Sequence, residues 1–258
     1  MSGTETKAEV FTVTEVEEVA AERSPSKKRC TYELYVQPCL AELFGTSLFV
    51  FVGCASVVGN VGASGVTQPA VAHGLALGVL IMVFGQISGG HFNPAVSLSV
   101  CLCGGMELRL LLPYVLSQVV GGMVGGGLTK AMYPSGMYAA SLGGAFGAVN
   151  TDLSKTTLAE VMLTLILTTV VCMAAVNTKT RTQCAPFCIG LIVTANIFAG
   201  GIVSGACMNP ARALGPAVAA NHWNNHWVYW VGPTCGALLT ASLIRLLFGD
   251  QKTRVLLK

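Results

Sequence analysis

Residues 88–95 read SGGHFNPA, and residues 204–211 read SGACMNPA. The offset from Asn93 to Asn209 is 116 residues, close to half of the 258-residue chain. Each copy follows a long apolar run and opens an apolar piece of about ten residues, which as a helix reaches only about 15 Å, half of a hydrocarbon core. Interrupted hydrophobic segments at matching positions of two halves indicate a site near the middle of a membrane, where broken helices meet.

Composition places the chain among polytopic membrane proteins. Its residues are 53% hydrophobic and 10% charged, with a mean hydropathy of +0.65, whereas a soluble domain carries about 25% charged residues. The net charge of +3 gives no indication of nucleic-acid binding. Residues 1–35 are polar and lack the apolar core of a signal peptide, so we expect a disordered tail and insertion directed by the first span.

Six apolar runs are long enough to span a bilayer, and two shorter ones follow the repeated octapeptides. The predicted fold is therefore an all-α membrane protein with six transmembrane helices plus two re-entrant half-helices in an inverted repeat. The spans are expected at about 36–58, 68–88, 108–131, 157–177, 184–203 and 227–248, and the half-helices at about 94–103 and 210–220.

Basic residues and matched landmarks define the organisation. With six spans, most Lys and Arg residues fall on the side of the chain ends, so both termini are predicted to be cytoplasmic. The pair Ala41-Glu42 returns as Ala159-Glu160, and Gly74 returns as Gly190, which supports a duplication. We expect an N-terminal tail at 1–35, a membrane domain at 36–248 with repeats at about 36–131 and 157–248, and a C-terminal tail at 249–258.

The repeated Asn-Pro pair has a chemical reason. Asn is a good helix cap, and Pro is favoured at the first helical position because its missing N–H would be unpaired there. Asn93-Pro94 and Asn209-Pro210 are thus predicted to begin half-helices whose ends meet at the midplane, each with about half a positive charge. Capping leaves the Asn NH₂ groups free to donate to water, while a cation meets a barrier. Two capped helices in a closed bundle are the alternative.

The matched carboxylates Glu42 and Glu160 also need a role, since a charge inside a bilayer is costly and finds partners. We interpret both as structural acceptors for backbone N–H groups of the re-entrant loops. A proton relay is the alternative.

Together these residues resemble the aquaporin (major intrinsic protein) family over about residues 36–248. The resemblance implies a channel domain in the lipid bilayer, one pore per subunit, a homotetramer, and water as the solute. We expect no cofactor, no metal and no enzymatic activity, because no nucleophile–base constellation or paired metal-ligand motif occurs. The two boxes that carry the resemblance are Asn93, Pro94, Ala95 and Asn209, Pro210, Ala211, the second followed by Arg212.

The family narrows its pore at four outer positions, and spacing from the two Asn residues matches these to His73, Ile197, Ala206 and Arg212. Strict water channels generally carry an aromatic residue in place of His73 and a His in place of Ile197. The resemblance therefore implies a wider ring that is polar on one flank, suited to water, ammonia and hydrogen peroxide.

Further matched positions bear on glycerol and on mercurials. Ala213, Ala217 and Tyr229-Trp230 lack the residues typical of glycerol channels, so low glycerol permeability is expected. Cys207 is expected to place a thiol at the pore, where mercurials or oxidants block conduction; packing as a small residue is the alternative.

Several alternatives remain open. The filter, Cys207 and the long tail are most similar to an animal branch of the family, in plasma membrane or in intracellular membranes that include mitochondria. The plant tonoplast branch shares much of the filter. A proton-coupled secondary transporter also uses inverted repeats and broken helices. His222 and His226 could suggest a metal-dependent membrane enzyme, but no third ligand is evident.

Overall fold

The computed structural model describes residues 31–147, 152–250 and 254. The predicted N-terminal tail therefore lies, for residues 1–30, outside the described residues. Within the described residues all regular structure is helical. The elements in chain order are α1 Tyr32–Val58, α2 Thr67–Ser88, α3 Pro94–Leu102, α4 Leu108–Met132, α5 Ser135–Ala140, α6 Leu153–Val176, α7 Ala185–Ser204, α8 Pro210–Ala220 and α9 Val228–Phe248.

Six of these helices (α1, α2, α4, α6, α7 and α9) are long and apolar enough to cross a membrane, as predicted. The half-helices α3 and α8 begin at the prolines of the repeated octapeptides. Large apolar side chains point outward from the bundle, among them Ile202, which is 73% exposed. An outer surface of this kind is stable against lipid and not against water.

Two predicted boundaries are wrong because polar residues also extend membrane helices. Residues 32–35, assigned above to a disordered tail, form the first turn of α1. Their sequence contains no helix breaker, and Tyr side chains are favoured at the membrane interface. Likewise α6 begins at Leu153 and not near 157, because Asp152 Oδ1 caps it by accepting from Ser154 N at 3.1 Å.

Small residues let the two repeats approach closely. Gly74 of α2 and Gly190 of α7 face each other, and a Cβ built on either would lie 2.5 Å from the carbonyl oxygen of the other. Each half-helix packs against the last span of the opposite repeat, α8 on α4 and α3 on α9. At Gly126 a Cβ would lie 2.7 Å from the backbone of Gly215. Such small-residue contacts are how helices pack inside membranes.

Candidate functional site

Both half-helices begin with an Asn that caps them. Asn93 Oδ1 accepts from Ala95 N at 2.9 Å, and Asn209 Oδ1 accepts from Ala211 N at 3.0 Å and from Arg212 N at 3.2 Å. Each Asn has extended backbone dihedrals, and the following Pro occupies the first helical position. The predicted capping is therefore confirmed, and the positive ends of two helix dipoles meet between the repeats.

The two Asn side chains also tie the repeats to each other. Asn93 Nδ2 donates to Met208 O at 2.8 Å, and Asn209 Nδ2 donates to Phe92 O at 2.9 Å. The expectation that the whole NH₂ group is free was therefore wrong. One N–H of each amide is used to hold the opposite loop, because the Met208 and Phe92 carbonyls would otherwise be buried without a donor. One N–H of each amide remains.

The matched carboxylates hold the re-entrant loops. Glu42 accepts from the backbone N–H groups of His91 and Phe92 at 2.9 and 2.6 Å. Glu160 accepts from those of Cys207 and Met208 at 2.9 and 2.8 Å. Both carboxylates are fully buried, so the loop amides replace the water that they lose on folding.

These bonds hold an unfavourable backbone. Phe92 and Met208 occupy equivalent positions with φ of 48° and 55°, and Ala206 has φ of 50°. Residues other than glycine rarely adopt this left-handed region, at a cost of about 1–3 kcal/mol each. The hydrogen bonds from the loop amides to Glu42 and Glu160 stabilise that conformation. In it, the carbonyls of Phe92 and Met208 accept from the Asn of the opposite repeat.

A cavity of about 750 Å³ is lined by both Asn side chains. Its lining contains both apolar side chains and polar groups. The apolar side chains include Leu77, Ile81, Val193 and Ile197, and the polar groups include His73, His91, Asn93, Asn209 and Arg212. The structure thus brings the predicted filter positions and the Asn pair onto one path, with Ala206 and Cys207 also in its lining.

His73 and Arg212 bind each other directly. Arg212 Nε and Nη2 both donate to His73 Nε2, at 2.8 and 2.5 Å. His73 Nδ1 lies 2.6 Å from Pro69 O, which fixes the tautomer with its proton on Nδ1. Arg212 Nη1 is buried and makes no hydrogen bond with any residue in the described part of the chain. Arg212 as a whole lines the cavity together with His73.

Two residues of this region were missed from the sequence. The Phe146 ring lies 4.2 Å from Arg212 Cζ and 5.0 Å from the Tyr229 ring, and it covers the guanidinium from the loop before α6. Gly53 of α1 leaves room for His73, since a Cβ there would meet the imidazole. The one sequence signal for Phe146 is that it is an aromatic residue within a glycine-rich stretch, GGAFG at residues 143–147.

Cys207 lies beside the ring. Its thiol approaches Asn209 O at 3.1 Å, it is 2% exposed, and it lines the cavity. His91 also lines the cavity, and its Nδ1 lies 3.1 Å from Ser97 Oγ. Gln118, which sequence analysis did not single out, donates to Glu42 and to Ser97 at 2.7 and 2.8 Å.

His222 and His226 lie in the loop before α9. Trp230 Nε1 donates to His226 Nε2 at 3.1 Å, and burial lowers the pKa of His226. Among the described residues no group of three or more metal-ligating side chains occurs. The Trp223 ring packs edge-on against His226, with 5.3 Å between the ring centroids.

The sequence profile described as Major intrinsic protein matches residues 30–244. The chain belongs to the major intrinsic protein family. Major intrinsic proteins are channels that transport water and are not enzymes, and the six apolar helices agree with a multi-pass membrane protein.

Relatives in the major intrinsic protein family and one solved structure agree with this assignment. Aquaporin-8 of Mus musculus is 52% identical over 229 residues, which cover 88% of each chain. Aquaporin TIP1-2 of Zea mays is 38% identical over 224 residues, 83% of this chain and 86% of its own. The X-ray structure of the aquaglyceroporin from Plasmodium falciparum has a TM-score of 0.71 at 22% identity, covering 81% of this chain and 95% of its own. That structural match shows the fold alone.

Proposed function

We propose that this chain is a passive channel for water, ammonia and hydrogen peroxide that excludes protons and other ions and conducts little glycerol. One observation carries the proposal: His73 and Arg212 are joined by hydrogen bonds and line the same cavity as the small Ala206 and the apolar Ile197. A solute that both accepts and donates hydrogen bonds fits a ring that is polar at His73 and Arg212 and has no aromatic residue at the positions of His73 and Ile197.

Ion exclusion follows from charge. Arg212 and the N-terminal ends of α3 and α8 all present positive potential to the path, in an interior where ions are poorly solvated. The Asn amides offer two donors to the oxygen of a water at the midplane. That water then points its hydrogens outward, and the waters on its two sides take opposite orientations. Proton transfer along the file is thereby opposed.

The same geometry disfavours a proton-coupled transporter. A relay needs a group that takes up and releases a proton on the path. His73 Nε2 already accepts from Arg212, so a proton on that nitrogen would set two donors against each other. Glu42 and Glu160 have their oxygens occupied by loop amides, which supports the structural role and not a relay.

The relatives guide the rest of the proposal. Higher identity to aquaporin-8 than to the plant relative supports the animal branch over the tonoplast branch. We infer a homotetramer with one pore per subunit, both termini in the cytoplasm, and repeats at about 36–131 and 157–248. Plasma membrane and intracellular membranes, including mitochondrial ones, are the proposed locations.

Stopped-flow permeability of the purified protein in liposomes tests this function. Water, ammonia, hydrogen peroxide and glycerol are compared with protein-free liposomes from the same lipid. The proposal expects the first three to cross faster than through lipid and glycerol to stay at the lipid rate. Glycerol flux comparable to the water flux would overturn the interpretation of the ring. If peroxide or ammonia crosses only at the lipid rate, the channel does not conduct that solute.

A further inference from the structure

The first half-helix, α3, ends in a Schellman motif. Gly104 has φ of 80°, its N–H donates to Cys101 O at 3.0 Å, and Gly105 N donates to Val100 O at 2.8 Å. A turn of this kind closes a helix at a left-handed residue and satisfies two of its last carbonyls with backbone donors. The next carbonyl along the chain is that of Leu102, which is left for a donor from outside the turn.

The second half-helix, α8, ends in the same way. Asn221 has φ of 51°, its N–H donates to Val218 O at 3.3 Å, and His222 N donates to Ala217 O at 3.0 Å. Asn is the residue that most often replaces Gly at this left-handed position. The next carbonyl along the chain is that of Ala219, which is the equivalent position of the second half-helix.

A cation binds this carbonyl in both half-helices. Arg245 Nη1 donates to Leu102 O at 2.8 Å, and Lys130 Nζ donates to Ala219 O at 2.7 Å. Lys130 lies in the last turn of α4 and Arg245 in the last turn of α9, which are the last spans of the two repeats. Each cation therefore reaches the half-helix of the opposite repeat, at the end where the helix dipole is negative.

An ordinary surface role explains these two contacts less well. A Lys or Arg in the last turn of a helix commonly interacts with the dipole of its own helix. Lys130 and Arg245 instead donate to another helix, 89 and 143 residues away in sequence. Both the donors and the acceptors are related by nearly the same offset as the two Asn residues of the repeated octapeptides. The contact is thus a feature of the duplicated fold, made with a different cation in each copy.

The opposite end of each half-helix carries a polar group of the cavity. α3 has 9 residues and α8 has 11, so at 1.5 Å per residue the bound carbonyl lies about 15 Å from the capping Asn. A helix of two or three turns behaves as a rigid rod, and a displacement of its C-terminal end tilts the whole rod. Asn93 or Asn209 then moves relative to the cavity that both residues line. Arg212 moves with α8, because it belongs to the first turn of that helix.

We propose that Lys130 and Arg245 are positioning residues for the water path. Lys130 holds the C-terminal end of α8 and Arg245 holds that of α3, so that the capping Asn at the other end of each half-helix stays at its place in the cavity lining. The bonds between the loops and the buried carboxylates fix one end of each rod, and the two cations fix the other. This role concerns the path itself and does not depend on which solutes other than water cross.

Hydrogen exchange and water permeability of the full-length protein in liposomes test the proposal. Lys130→Met and Arg245→Met each keep an apolar stem and remove both the charge and the donor. In Lys130→Met we expect amide exchange in the last turn of α8 to rise about tenfold, the effect of losing one hydrogen bond to a charged group, while α3 keeps its wild-type rates. Arg245→Met should show the reverse. Water permeability per folded protein should fall several-fold in both.

Conservative variants separate positioning from general damage. Lys130→Arg and Arg245→Lys keep a cationic donor and should restore both the exchange rates and the permeability. Lys155→Met and Arg109→Met are the matched controls, because both replace an exposed cation on the surface. Both controls should remain at the wild-type values. Lys130→Gln and Arg245→Gln serve if a Met variant folds poorly, and they should loosen the same half-helix as the corresponding Met variant.

Three results would overturn the positioning role. One is that each variant loosens the half-helix of its own repeat, or both half-helices equally. Another is wild-type water permeability in Lys130→Met and Arg245→Met despite faster exchange, which would make the contacts irrelevant to the path. The third is that the Arg and Lys replacements fail to restore what the Met variants lose.

Discussion

At the scale of single residues, the pore is set by what positions Arg212. The guanidinium is shared between His73, which accepts two of its N–H groups, and the Phe146 ring, which covers its flat face. Cation–π contact and hydrogen bonding together hold it in the lining of the cavity. The position of Arg212 is therefore fixed by side chains from two other parts of the chain.

Gly53 gives a sharp test of this arrangement. In Gly53→Ala the new Cβ would meet the His73 imidazole, so His73 must shift and release Arg212. We expect water permeability to fall several-fold, with a cost of about 1–3 kcal/mol from overpacking. Stopped-flow permeability measures the first effect and thermal unfolding in detergent the second.

The matched control for that change is Gly127→Ala on α4, where nothing lies within 4 Å of the new Cβ. Permeability there should remain at the wild-type value. Equal losses in both variants would mean that alanine perturbs helix packing in general and that His73 is not specifically displaced.

Cys207 gives a second prediction at this scale. Its thiol lies in the cavity lining beside the ring, so a mercurial bound to it would obstruct the path. Cys207→Ser should conduct water and lose mercurial inhibition, while Cys235→Ser on the outer face of α9 should stay sensitive. Water permeability with and without the mercurial is the measurement. Inhibition that persists in Cys207→Ser contradicts the pore placement.

At the scale of elements, the re-entrant loops depend on buried carboxylates. Glu160 accepts from two loop amides and from Ser204 Oγ at 2.7 Å, and the equivalent Glu42 accepts from Ser88 Oγ at 2.6 Å. Tyr114 and Tyr229 repeat the pattern by donating to the carbonyls of those serines. Each half-helix is thus held at its start by its own repeat.

Glu160→Gln should destabilise the second loop. The amide keeps one acceptor oxygen but sets its NH₂ group against a backbone donor, and an unsatisfied buried donor costs about 1–3 kcal/mol. We expect a lower unfolding temperature and reduced water permeability. Glu107→Gln is the control, because Glu107 is exposed at the start of α4 and makes no capping hydrogen bond. A wild-type unfolding temperature in Glu160→Gln would mean that the carboxylate is not structural.

The elements were largely predictable, and the reason is local. Asn-Pro fixes where α3 and α8 begin, and apolar length fixes the six spans, so these boundaries agree within a few residues. The start of α1 was missed because Tyr32 and its neighbours are polar enough to resemble a tail. Capping by Asp152 explains the earlier start of α6.

Contacts between distant residues were harder to predict. The Phe146 ring from a loop packs on Arg212 of a half-helix, and Gly53 of the first span leaves room for His73. No spacing in the sequence indicates either contact. The crossed bonds of Asn93 and Asn209 were also missed, because periodicity does not say which carbonyl a buried amide will meet.

At the scale of the whole molecule, the inverted repeat brings equivalent groups into contact. Gly74 faces Gly190, and Asn93 and Asn209 each bind the loop of the other repeat. Symmetry therefore builds the path and places both helix ends at its middle. Arg212 after the second box and His73, which it binds, depart from this symmetry, and we propose that they determine which solutes pass.

The most direct test of this account is simultaneous measurement of osmotic shrinkage and internal pH in liposomes that contain the purified protein. We predict shrinkage much faster than in protein-free liposomes while an imposed pH gradient decays no faster than through lipid. Fast water flow accompanied by accelerated decay of that gradient would contradict a proton-excluding channel, and shrinkage at the lipid rate would contradict a water path through the cavity.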